Sequence, residues 1–274
     1  MIRTFHFALA ATALAIVGCG QERLAGGIGV GNPPLADVSL ALKAKSVSPI
    51  ANAKTSAAAL TNPDGTFTIG DSLGTSIILD SIIARVDGID FTLPDSLHCA
   101  DVPGLPCIDA ETAVKGPFSV DLMRGISHPP IGRFKLPAGV YKKIGFELIS
   151  GDSASEDTWD SLTQNIVVWG RVGTSGKRFV ARLNLLEGMD FANPGGIGIR
   201  ADTLNSIQLG LNVDGWFLDT DMQACVDGSP ATADSAGITR LQGDGFCAGT
   251  GKRLRKNIEF SGGLDHDQDH VEQP

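Results

Sequence analysis

Ser72 stands in the block Gly70-Asp71-Ser72-Leu73, and a second block, Asp267-Gln268-Asp269-His270, lies near the C-terminus. A hydroxyl, an imidazole and a carboxylate are the parts of nucleophilic acyl transfer. The wider tail, Asp265-His266-Asp267-Gln268-Asp269-His270-Val271-Glu272, offers carboxylates at positions 1, 3 and 5 of a calcium loop. Position 6 is His270 where such a loop needs glycine, and no glutamate fills position 12. Zinc or nickel could be held loosely by His266 and His270, but the tail reads as solvated and disordered, and no metal or other cofactor is expected. The remaining chemistry is sulfur. Cys99 and Cys107 form one local couple, Cys225 and Cys247 another, and Cys19 stands alone.

The surroundings of Cys19 give it a role. Arg3 supplies a positive charge, an apolar run extends from Phe5 to Val17, and Ile16-Val17-Gly18-Cys19 closes the segment. A charged start, a short apolar core and a small-residue end make a secretory signal, too short to persist as a spanning helix. The last four residues resemble the bacterial lipoprotein box, which implies cleavage before Cys19 and lipid on its thiol. Export also changes the reading of the other cysteines, because an even number in an oxidising compartment reads as disulfides. Three connectivities are open. The two sequence-local pairs are favoured, since each staples a loop without strand character.

Composition narrows the partners. Removal of residues 1–18 takes away Arg3 and no acid, leaving 256 residues with 21 basic and 31 acidic side chains, formally −10. Such a surface repels nucleic acid and anionic lipid alike. The membrane is therefore reached through acyl chains, each buried methylene contributing roughly 0.8 kcal/mol.

The elements that must position these groups follow from periodicity. Residues 19–35, with Gly26-Gly27-Ile28-Gly29 and Pro33-Pro34, read as a flexible tether. Val38, Leu40 and Leu42 alternate as in a first strand, and Ser46–Asp64 reads as loop. Thr66–Ile69 and Ser76–Phe91 are strands, with Asp87-Gly88 marking a turn or bulge in the second. Pro117–Leu122 presents Phe118, Val120 and Leu122 on one face. After a turn at Leu136-Pro137-Ala138-Gly139, Ile144, Phe146 and Leu148 point one way and Lys143 and Glu147 the other. Asn165–Val172, a near-continuous apolar strand, should pair with Arg178–Leu185 across Gly173-Thr174-Ser175-Gly176. Ser206–Phe217 adds a strand, and Asn257–Phe260 an edge strand. Helical periodicity is nearly absent; Ser155–Leu162 is its best stretch. The expectation is all-β, an antiparallel sandwich of immunoglobulin or transthyretin-like architecture over 36–262. A disulfide-stapled loop occupies 219–256, and 263–274 is the disordered tail.

Two resemblances bear on function. Gly70–Leu73 and Asp267-x-x-His270 resemble the nucleophile and Asp-x-x-His blocks of the Gly-Asp-Ser-Leu esterases and lipases, which implies that Ser72 attacks an ester carbonyl, His270 takes its proton and Asp267 orients the imidazole. That family needs Ser72 where a parallel strand turns into a helix, whereas Gly74–Val86 is β-branched and strand-like, and the Gly-x-Asn-Asp block has no match. The esterase stands as the alternative. The runs Gly74–Phe91, Phe118-Ser119-Val120-Asp121-Leu122-Met123 and Leu136-Pro137-Ala138-Gly139-Val140-Tyr141 resemble uncharacterised β-sandwich domains of bacterial lipoproteins over residues 66–217. That resemblance implies fold and location without an activity.

Trp159, Trp169 and Trp216 could stack on sugar rings, which makes a glycan-binding module the second alternative. Core packing is expected of Trp169 and Trp216, exposure of Trp159. His98 and His128 read as surface residues. The leading expectation is a non-enzymatic, lipid-anchored envelope protein of structural, adhesive or ligand-binding role. Gly20 after the cysteine, where no aspartate argues for inner-membrane retention, places it in the outer membrane of a diderm bacterium. A cell-envelope protein or polysaccharide would be its partner, met through the Cys99–Cys107 and Cys225–Cys247 loops.

Overall fold

The computed structural model describes residues 32–46, 60–149, 164–173, 175–185, 188–228, 237–241, 247 and 249–261. The signal, Cys19, most of the tether, Ser155–Leu162, Trp159 and the tail with Asp267 and His270 lie outside the described residues. The chain from Asn32 onward forms one compact unit.

Its first strands are β1 (Leu35–Lys45), β2 (Leu60–Thr61), β3 (Phe67–Gly70), β4 (Ser76–Thr92), β5 (Cys107–Ile108), β6 (Glu111–Asp121) and β7 (Ile126–His128). Then come β8 (Arg133–Pro137), β9 (Gly139–Leu148), β10 (Ile166–Val172), β11 (Lys177–Leu183), β12 (Met189–Ile199), β13 (Leu204–Asn212) and β14 (Thr239–Arg240). Helices α1 (Met222–Gly228) and α2 (Thr250–Ser261) flank β14 in sequence. One sheet runs β13-β1-β8; the other runs β12-β9-β4-β10-β11-β14, with β3 and β6 also paired to β4.

The fold is all-β and sandwich-like, as periodicity requires. Inner-face residues of both sheets, among them Val38, Leu42, Ile207 and Leu209 from the small one and Ile82, Ile89, Ile144 and Val168 from the large one, share one apolar cluster. Phe91 of β4 meets Phe134 of β8 across the sheets, ring centroids 5.3 Å apart.

β4 shows how a long strand keeps one face inward. Its buried residues run Ile77, Leu79, then Ile82, Ala84, Val86, then Ile89, Phe91. The two-residue beat therefore slips by one residue twice. Each slip is absorbed by a register shift, one opposite Trp169/Gly170 and one between Val86 and Gly88. A bulge inserts one unpaired residue and bends the strand, so the apolar set stays on the core side. The second shift is the one foreseen at Asp87-Gly88. The bent strand serves β3 and β10 along its first half and β6 and β9 along its second.

Three expectations need correction. The sheets are mixed rather than purely antiparallel: β1 pairs with β13, and β11 with β14, in parallel. Alternation assigns faces, but it carries no information on strand direction between segments so distant in sequence. Second, Ser206–Phe217 is a strand only to Asn212; turns then carry Trp216 and Phe217 into the core. Third, Asn257–Phe260 lies in α2. The helical signal was Leu254 and Ile258, both fully buried four residues apart on one face, with Lys252, Arg253 and Lys256 exposed. A window opening at Asn257 misses Leu254 and leaves a false strand beat.

Candidate functional site

Ser72 sits at the tip of a tight turn between antiparallel β3 and β4. Its neighbour Asp71, 4% exposed, organises that turn. Oδ1 of Asp71 accepts the N–H groups of Leu73 (2.9 Å) and Thr75 (2.8 Å), an arrangement suited to a short side-chain acceptor followed by a reversal. Gly74, at φ +82°, completes the reversal in a conformation that a Cβ would strain. Oδ2 of Asp71 accepts the N–H of Met222 at 3.1 Å, so the same carboxylate occupies the N-terminus of α1, where unpaired N–H groups favour negative charge. The Ser72 hydroxyl accepts the N–H of Asp219 at 2.6 Å. The Asp-Ser step thus ties a hairpin to a helix cap. Of the motif's three partners only Ser72 is described, and the strand-to-helix elbow on which such a nucleophile is normally raised is not what surrounds it. His98 and His128 are exposed, on the loop after β4 and on β7.

The sulfur pairs are the sequence-local ones. Cys99 bonds Cys107 with Cα atoms 5.3 Å apart, and Cys225 bonds Cys247 at 4.7 Å, both within disulfide reach. They differ in setting. The first closes a partly exposed loop around the helical turn Cys99–Asp101. The second is wholly buried and fixes α1 to the chain entering α2. Around it, Asn257 on α2 donates through Nδ2 to the carbonyls of Trp216 (3.0 Å) and Leu218 (2.8 Å), and Arg253 donates to that of Asp219. The loop expected over 219–256 is in fact helix-bearing at both ends, its helices packed into the core through Met222, Val226, Leu254 and Ile258.

The outer face of β4, β9 and β12 collects charge. Asp90 and Asp190 both face Gly145, and Lys143 pairs with Asp190 at 2.7 Å. The Asp190 carboxylate lies over Gly145, 2.8 Å from where a Cβ would stand. Partial burial, reinforced by the like charges of Glu147, Glu111 and Asp190, pushes Asp90 up to about 6. The hydrogen bond from Lys143 to Asp190 raises the lysine. Among the described residues no three His, Cys, Asp or Glu side chains stand where they could hold a metal ion.

The other half of the same sheet's outer face carries the opposite charge. Along β10, Ile166, Val168, Gly170 and Val172 are buried while Val167, Trp169 and Arg171 look outward and are partly exposed. Trp169 is therefore not core, contrary to expectation, whereas Trp216 is fully buried. Gly170 is the reason the tryptophan can be followed by a bulge: a Cβ there would stand 2.5 Å from the Ile78 carbonyl and 2.6 Å from the Phe179 ring. On the outer side Trp169 lies opposite Val180, which lies opposite Arg240, and Arg171 lies directly opposite Arg178. A near-continuous apolar run over Asn165–Val172 hides this group from a reading of the sequence. Its signal is Trp169 and Arg171 alternating with Gly170, together with Arg178 and Arg182 at even spacing across the hairpin.

Among the described residues no helix is long and apolar enough to cross a membrane. No protein-family model, curated protein or solved structure matches this chain.

Proposed function

We propose that the protein is a lipid-anchored cell-envelope module, fixed through Cys19 to the outer membrane of a diderm bacterium and presenting its β-sandwich to an envelope partner. The observation that carries this reading is the coincidence of Ile16-Val17-Gly18-Cys19 with the end of the apolar run. The resemblance of that segment to a lipoprotein box, and of residues 66–217 to lipoprotein β-sandwich domains, supports it. The compact unit beginning at Asn32 is compatible with it too. A tether over residues 19–35 can reach at most about 60 Å when fully extended, enough to lift a domain clear of the headgroups.

The anchor is tested by Cys19→Ala. The variant is expected unprocessed or in the soluble fraction, without incorporated acyl label. Continued co-fractionation with membranes at wild-type level refutes the anchor. Within this reading a ligand-binding role gains support from Trp169, whose indole is partly open on a sheet face rather than spent in the core.

A further inference from the structure

The face around Trp169 is unusual for an acidic chain. The protein carries 22 basic against 31 acidic residues, yet Arg171, Arg178, Arg182 and Arg240 gather about one indole on β10, β11 and β14. Cross-strand partners on one face stand about 5 Å apart at Cβ, and like charges directly opposite destabilise a sheet. Arg171 and Arg178 are such a pair. Asp80 offsets part of this, with its Oδ1 2.9 Å from Arg171 Nη2, and the Arg171 charge also reaches Asp64. Arg182 and Arg240 have contacts of their own within the chain. Even so, Arg178 and Arg240 are exposed, and Ile78, Ile83 and Val167 give the face a partly open apolar floor. Guanidinium forks match carboxylate geometry, and an indole matches the apolar face of a pyranose ring.

We propose that the outer face of β4, β10, β11 and β14, centred on Trp169 and bordered by Arg171, Arg178 and Arg240, binds an anionic polysaccharide bearing sugar carboxylates. Charge complementarity selects the polymer: on an acidic chain of net charge −9, arginines gathered on one sheet face give an anionic chain a place to dock. An open sheet face suits an extended chain whose successive units meet the arginines in turn. The inference rests on the binding-module reading and is independent of the anchor.

The test uses the full chain in neutral detergent, with polygalacturonate as probe and dextran as the uncharged control, read by tryptophan fluorescence and affinity electrophoresis. Binding to polygalacturonate is expected to weaken as salt rises through about 0.5 M, where screening is confined to a few ångströms, and dextran should not bind. Arg178→Gln with Arg240→Gln removes two charge-assisted contacts and should weaken binding at least about tenfold. Trp169→Ala should weaken it while Trp169→Phe restores most of it, with thermal melts of both kept as the fold control. Equal binding of dextran, wild-type affinity in the double arginine variant, or no binding of polygalacturonate overturns the proposal. Each of these outcomes leaves the Cys19 test untouched.

Discussion

At the scale of single residues, Asp71 and Ser72 separate a structural from a catalytic meaning of the same motif. Asp71→Ala strips acceptors from three N–H groups, one of them buried at the start of α1, and should cost about 3–5 kcal/mol in chemical denaturation. Ser72→Ala removes one exposed hydrogen bond and should cost about 1 kcal/mol or less. If the protein turned over p-nitrophenyl esters and Ser72→Ala abolished that turnover, the esterase alternative would replace the envelope-module reading. Asp90 makes a second prediction at this scale. Its folded-state affinity for a proton exceeds that of the unfolded chain, so the folded state holds more protons between about pH 4 and 6. Its contribution therefore favours folding below pH 4 and is lost as pH rises through 6. Asp90→Asn should flatten that decline, raising Tm relative to wild type above pH 6 and by little near pH 4. Identical pH profiles of Tm for the two proteins would show that the carboxyl is not strained by its neighbours.

Among elements, the two disulfides predict different behaviour. In the loop-entropy account, closing the 22-residue separation between Cys225 and Cys247 stabilises by about 3.4 kcal/mol, and the 8-residue separation between Cys99 and Cys107 by about 2.5 kcal/mol. The buried pair also holds α1 and α2 against the core, so Cys225→Ser with Cys247→Ser should lose more than loop entropy alone. Proteolysis should then open within the helical C-terminal region first. Cys99→Ser with Cys107→Ser should lower Tm modestly and leave the core's melting cooperative. A larger loss from the exposed pair would contradict this ordering. The strands themselves were legible wherever one face was buried: Phe118, Val120 and Leu122, or Ile144, Phe146 and Leu148, alternate without interruption and are all buried. They were illegible where the strand was glycine-rich, as in β12 with its Asn193-Pro194-Gly195-Gly196 excursion. The two helices were missed because α1 spans only seven residues and because a window opening at Asn257 leaves out Leu254 of α2.

For the whole molecule, the sequence by itself determined that the chain is all-β, which residues face inward along its regularly alternating strands, and which cysteines lie near enough in the chain to pair. The proposed anchor at Cys19 rests on the sequence alone. These are local properties: a two-residue beat, a charge followed by an apolar run, a short separation between thiols. The tertiary structure decided the rest. It set β1 beside β13 and β11 beside β14 in parallel, a choice made by packing between segments that share no turn. It turned Gly-Asp-Ser-Leu into a hairpin clasp by bringing Met222 and Asp219 to it, and it gathered arginines from three strands around Trp169. Pairing across a sheet brings together residues that sequence distance keeps apart, and a charge cluster or a helix cap exists only once those strands have met.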